Sequence, residues 1–113
     1  MKIKNAKIQN VTVGIDDRDR LSVRMTFKGD DDMSCDWGFN LENPKDVQRL
    51  KILMEYADVD QVCKLEGKII RVVDHGMLFS GFGHPIENKF VPCCISEVKE
   101  ITDAEFRKLL YNN

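Results

Sequence analysis

Residues 21–28 read LSVRMTFK, and this stretch decides the fold because its apolar and polar side chains alternate strictly. Leu21, Val23, Met25 and Phe27 fall on one face, and Ser22, Arg24, Thr26 and Lys28 fall on the other. Successive side chains of a strand point to opposite faces of the sheet. One apolar face and one polar face predict a half-buried strand in an antiparallel sheet.

A further strand is predicted on each side of this stretch. Residues 2–14 form a long strand whose apolar residues change phase between Ile3 and Ala6. A β-bulge near Asn5 is predicted to absorb the change. The polar segment GIDDRDR joins this strand to residues 21–28, and GDDDM leads to a third strand over residues 34–40.

The middle of the chain predicts a helix over residues 44–57. Asn43 is the expected N-cap and Pro44 fits the first helical position. Apolar residues recur at helical spacing, so one helix face is expected to pack on the sheet. A short turn over residues 60–65 then ends at Gly67.

The second half adds strands and a last helix. KIIRVVD and MLFSGF are predicted strands joined by a hairpin at Gly76, and residues 93–98 are a candidate for one more strand. Thr102 and Glu105 have the spacing of a capping box, which begins a final helix. The sequence therefore predicts one α+β domain over residues 1–113. It has an antiparallel sheet of five to six strands, one central helix packed on it and a short C-terminal helix.

Composition limits the function. The 113 residues are 42% hydrophobic and 32% charged, with a formal net charge of −2. This balance argues against a protein that grips duplex nucleic acid, although it leaves room for a local basic patch. No apolar run reaches 18 residues and MKIKNAKIQN has no signal-peptide core, so we expect a cytoplasmic protein without membrane contact. The four cysteines are expected to be reduced.

Residues 81–90, GFGHPIENKF, are the first candidate binding segment. Gly81 and Gly83 expose backbone N–H groups that can form an anion-binding nest, to which His84 and Lys89 add charge. Phe90 can stack on a base. A structural explanation stands beside this one: the glycines allow close packing, His84 begins a plain turn and the phenylalanines belong to the core.

Three further side chains are candidates for ligand contacts. Arg71 lies in the apolar run IIRVV and needs a partner, either a ligand phosphate or a carboxylate such as Asp36 or Glu87, or water. Trp37 and Phe39 share a face, and they either cap the core or form a stacking surface for a base.

Catalytic and metal sites find little support in the sequence. The cysteines and the two histidines lack CxxC or HxxxH spacing, and the aspartate-rich turns lack the calcium-loop pattern. No GxSxG elbow and no phosphate-binding P-loop occur. We therefore expect a binding protein without enzymatic activity, cofactor or metal.

Several short segments in order resemble a family of small proteins encoded by phages and prophages. These segments are KIKNAKIQNVTVGIDD, CDWGFNL, VDQVCKLEGKIIRV and GFGHPIENKFVP, and they cover roughly residues 1–92. Within or close to that family are phage anti-defence proteins of the Thoeris anti-defence type 1 kind. Those proteins sequester a cyclic ADP-ribose signal without cleaving it and assemble as dimers or higher oligomers.

The resemblance implies that this chain is a nucleotide sponge of the host cytoplasm, and a homodimer or larger homo-oligomer. Its ligand-binding residues would be Trp37, Phe39, Arg71, Gly81, Gly83, His84, Lys89 and Phe90. The sequence departs from the family where a glycine-rich segment is reduced to DWGFN and where NKF replaces a tryptophan-containing ending.

A second function class is also open. An acidic chain with two aspartate-rich turns is suited to block a basic channel of a host defence protein, in the manner of an anti-CRISPR protein.

Overall fold

The computed structural model describes residues 1–111 and contains six strands and two α-helices. In chain order these are β1 (Lys2–Ile15), β2 (Leu21–Gly29), β3 (Ser34–Asn40), α1 (Pro44–Tyr56), β4 (Ile69–His75), β5 (Leu78–Gly83), β6 (Phe90–Pro92) and α2 (Asp103–Tyr111). The strands form one sheet in the order β3-β2-β1-β4-β5-β6, with every neighbouring pair antiparallel. The predicted α+β class and antiparallel sheet are confirmed.

One face of the sheet, here called the inner face, holds the larger core. The sheet curls around this core, so aromatic rings of distant strands meet. The ring centroid of Phe79 in β5 lies 5.3 Å from that of Phe27 in β2 and 4.5 Å from that of Trp37 in β3. Helix α1 adds Leu50 and Leu53 to the same cluster. The alternation in β2 is thereby explained, because its apolar residues line the inner face.

A second, smaller core lies on the opposite, outer face of the sheet. Val73, Phe90 and Phe106 are at most 1% exposed there, and the partly buried Ile3 packs against them. Phe106 comes from α2, so the last helix covers only the β4–β6 end of the outer face.

The predicted bulge near Asn5 is wrong, and the second core explains the pattern that suggested it. β1 pairs with β4 without interruption from Lys2 to Lys7. The phase changes between Ile3 and Ala6 because the two side chains enter different cores, Ile3 the outer one and Ala6 the inner one. A regular strand with apolar side chains on both faces therefore shows the same change of phase in its sequence as a strand with a bulge.

The bulge in β1 lies further along the strand. Its register with β2 shifts between Gln9 and Thr12, and Asn10 has a left-handed φ of 57°. The Glu66 carboxylate accepts hydrogen bonds from the amides of Asn10 (3.1 Å) and Val11 (3.0 Å), where β4 no longer pairs with β1. A side chain thus satisfies backbone donors that the ladder leaves free.

The helix starts follow the predicted capping. The side chain of Asn43 accepts a hydrogen bond from the amide of Lys45, and Pro44 occupies the first turn of α1. Thr102 and Glu105 form the predicted capping box, with reciprocal backbone-to-side-chain distances of 3.0 and 3.2 Å. Neither helix of residues 1–111 is long and apolar enough to cross a membrane.

The strand predicted over residues 93–98 is wrong. The last strand of the described residues is Phe90–Pro92; the amide of Cys93 still donates to the Ser80 carbonyl of β5, but residues 93–98 form no strand. The buried guanidinium of Arg49 donates to the carbonyl oxygens of Ile95 (2.7 Å) and Ser96 (3.2 Å). These two carbonyls thus bind a side chain of α1 and not a neighbouring strand.

Candidate functional site

The candidate segment 81–90 contains the end of β5, a turn and the start of β6. His84 organises the turn, because its Nδ1 accepts hydrogen bonds from the amides of Ile86 (3.1 Å) and Glu87 (2.9 Å). The His84 amide in turn donates to the carbonyl of Lys89 at 2.8 Å. Because Nδ1 of the imidazole accepts both hydrogen bonds, the ring proton lies on Nε2.

Gly81 and Gly83 allow close packing within the outer core. A Cβ added at Gly83 would lie 2.3 Å from the ring of Phe90, and one added at Gly81 would lie 2.9 Å from the ring of Phe106. Both glycines pair with strands on either side of β5. These contacts support the structural explanation for the two glycines.

Lys89 lies at the end of the turn and is already paired. Its Nζ is 3.1 Å from the carboxylate of Glu87, and both side chains are about half exposed. The hydrogen bond and the charge of Glu87 raise the pKa of Lys89. Lys89 is therefore cationic at neutral pH, but a ligand would have to share it with Glu87.

Arg71 has no carboxylate partner among residues 1–111. It projects from the outer face of β4, half-buried, and its Nη2 donates one long bond of 3.4 Å to the carbonyl of Ile86. Asp36, one of the partners considered above, instead accepts from Thr26 Oγ1 at 2.7 Å. Glu87, the other, binds Lys89. Of the five N–H donors of Arg71, one thus has a partner among residues 1–111.

The aromatic candidates separate onto the two faces of the sheet. Phe39 is fully buried in the inner core and Phe90 is 1% exposed in the outer core. Trp37 is partly exposed and shares the inner face with Phe39. Arg71 and Trp37 therefore point to opposite faces, whereas Arg71, Gly83 and the turn begun by His84 lie together on one side of the molecule.

Two lysines beside Arg71 were absent from the sequence prediction. Lys7 and Lys28 are exposed, lie directly opposite each other on β1 and β2, and point to the outer face. Lys7 also pairs with Ile69, two residues before Arg71. The polar side of the β2 alternation already contained Lys28, but the pairing with Lys7 depends on register, which sequence alone does not give.

Tyr56 closes the inner side of the turn. Its ring contacts that of His84 edge-on at 5.4 Å, and its buried hydroxyl has no hydrogen-bond partner among residues 1–111. Burial, followed by the charge of Glu100, raises the pKa of Tyr56 well above its usual range. The hydroxyl therefore stays protonated at neutral pH and can serve as a donor.

The described residues contain no activated cysteine nucleophile and no metal-binding cluster. Burial raises the pKa of Cys93 to about 12 and that of Cys35 to about 11, so both thiols are protonated at neutral pH. No group of three or more His, Cys, Asp or Glu side chains within residues 1–111 is placed to hold a metal ion.

Comparisons with protein families, with curated proteins and with solved structures give no match for this chain.

Proposed function

We propose that the protein binds and sequesters a small phosphate-bearing nucleotide of the cyclic ADP-ribose kind without cleaving it. The single observation that carries the proposal is Arg71, a half-buried arginine with no carboxylate partner among the described residues. A guanidinium recognises a phosphate through two parallel hydrogen bonds, a geometry that water does not reproduce.

The surroundings of Arg71 suit a pyrophosphate. Lys7 and Lys28 add positive charge on the same outer face, and the exposed turn from His84 to Lys89 borders it. Because no positioned base or nucleophile among residues 1–111 adjoins Arg71, capture by mass action explains the arrangement better than turnover. In this proposal the protein acts in the cytoplasm of an infected host, as a phage anti-defence protein that withholds a signal from its effector.

Tight capture requires a more enclosed site than one copy offers. Nanomolar affinity corresponds to about −12 kcal/mol, and such ligands are usually largely buried. The outer face around Arg71 is open to solvent, so the active form in this proposal is a homodimer or larger homo-oligomer in which a second copy covers the ligand. Native mass spectrometry with and without nucleotide measures this stoichiometry.

A thermal-shift panel tests the proposal. Purified protein is mixed with cyclic ADP-ribose isomers, ADP-ribose, NAD and inorganic pyrophosphate. A ligand at one hundred times its Kd adds about 2.7 kcal/mol, which corresponds to a rise of roughly 10 °C in Tm for a chain of this size. If none of the nucleotides raises Tm, the proposal is wrong.

A second candidate function is inhibition of a host defence protein through an acidic surface. The turns at the two ends of β2 carry exposed aspartates that form no ion pair with any of residues 1–111, namely Asp17, Asp19, Asp30 and Asp32. Such a surface complements a basic nucleic-acid channel. A host protein that co-purifies with the wild type but not with an Asp17→Asn, Asp19→Asn, Asp30→Asn, Asp32→Asn variant would favour this candidate over nucleotide capture.

A further inference from the structure

The outer face of the sheet is only partly covered, and its uncovered part is basic. Helix α2 packs over Val73 and Phe90, whereas Lys7 and Lys28 lie on the uncovered side and are exposed. By register, Lys7 is directly opposite Lys28 on β2 and Ile69 on β4, and Arg71 is its diagonal neighbour. We call Lys7, Lys28 and Arg71 the basic face.

The three charges of the basic face lack counter-ions. None of them forms an ion pair with a described residue. Like charges directly opposite each other on neighbouring strands destabilise a sheet. Acidic residues outnumber basic ones in this chain, by 19 to 17, so the clustering does not follow from composition. A destabilising cluster without internal partners points to an external anion.

We infer that the basic face binds the phosphodiester backbone of single-stranded nucleic acid, a function beyond the proposed nucleotide capture that uses the same three cations. Exposed Asn5 and half-buried Gln9 lie between or beside the cations on the same face, and such neutral polar side chains supply the remaining bonds to phosphate and sugar oxygens. Ile69 is the one large apolar side chain exposed beside Lys7. An interface with an acidic protein usually has a cluster of apolar or aromatic anchors, whereas Ile69 is a single aliphatic side chain.

The shape of the face favours a single strand over a duplex. The sheet curls around the inner core, so the outer face is convex. A stiff duplex touches a convex surface along a short line, whereas a flexible strand can follow it. Without aromatic rings to stack bases, binding is expected to depend on phosphates and not on sequence. Asp36 marks the limit of the basic area, since its carboxylate lies on the same face of β3 and binds Thr26.

Fluorescence anisotropy with a labelled 20-nucleotide oligothymidylate tests the inference. Three phosphate contacts predict a slope of about −2 for log K against log salt concentration. In the K7Q/K28Q variant the slope should fall to about −0.7, with an affinity loss of at least about tenfold at low salt. The matched control is K45Q/K51Q, which removes two exposed lysines from α1 on the other side of the sheet. Circular dichroism melting checks that both variants are folded.

Two results would overturn the inference: equal losses in K7Q/K28Q and K45Q/K51Q, or tighter binding of a 20-base-pair duplex or of polyglutamate than of the single strand. Cyclic nucleotide capture uses the same cations but is measured separately with the small ligands, so the two proposals can fail separately. Conversely, oligothymidylate binding that depends on Lys7 and Lys28 stands even if every cyclic nucleotide fails to bind.

Discussion

Substitution of Gly83 tests most directly whether the glycines of GFGH are required for packing. Gly83→Ala places a methyl group on the ring of Phe90, so we expect a loss of about 1–3 kcal/mol in the free energy of unfolding. Gly14→Ala is the matched control, because a Cβ at Gly14 meets nothing within 4 Å. Urea unfolding measures both. If the two variants lose equal stability, the glycine at position 83 is not required by packing.

His84 supports its turn through one ring nitrogen, and this can be separated from its ring contact with Tyr56. His84→Ala removes both acceptor bonds and is expected to cost about 1–2 kcal/mol. His84→Asn also loses the ring, but its Oδ1 lies as many bonds from Cβ as Nδ1 does and can accept the same amides. Asn should therefore recover at least half of the loss in urea unfolding. Equal losses in Ala and Asn would mean that the ring contact matters and the hydrogen bonds do not.

Segment 93–98 depends on a single side chain of α1. Arg49→Met keeps the length and apolar stem of the side chain but frees the carbonyls of Ile95 and Ser96. We expect a loss of about 2–3 kcal/mol and faster amide hydrogen exchange in residues 93–98. Lys51→Met is the control, since Lys51 is exposed on the same helix. Matching exchange rates in the two variants would contradict the role given to Arg49.

The elements that sequence predicts well are those set by local rules. The alternation of LSVRMTFK and the caps Asn43 and Thr102 each depend on a few neighbouring residues, and all are found in the structure. The bulge and the last strand depend on distant partners. Ile3 is apolar on the outer face because the second core, to which α2 contributes, buries it, and the carbonyls of Ile95 and Ser96 bind Arg49 of α1. No local pattern contains either contact.

The whole molecule explains why the candidate site was only partly predictable. Glycines and aromatic rings in GFGHPIENKF suggest a ligand site, yet most of them are needed to build a second core on the outer face. Arg71 is left without a carboxylate partner among residues 1–111. Its cationic neighbour Lys7 comes from β1, which the antiparallel register places beside β4, and Lys28 of β2 lies opposite Lys7, one strand further away.

Isothermal titration calorimetry of cyclic ADP-ribose isomers into wild type, Arg71→Ala and Arg107→Ala tests nucleotide capture most directly. Arg107 is exposed on α2 and serves as the matched control for loss of one arginine. We predict saturable binding to wild type and to Arg107→Ala. Two lost charge-assisted hydrogen bonds should weaken binding to Arg71→Ala at least about 100-fold. Absence of binding to wild type, or equal affinity of Arg71→Ala, would contradict the proposed function.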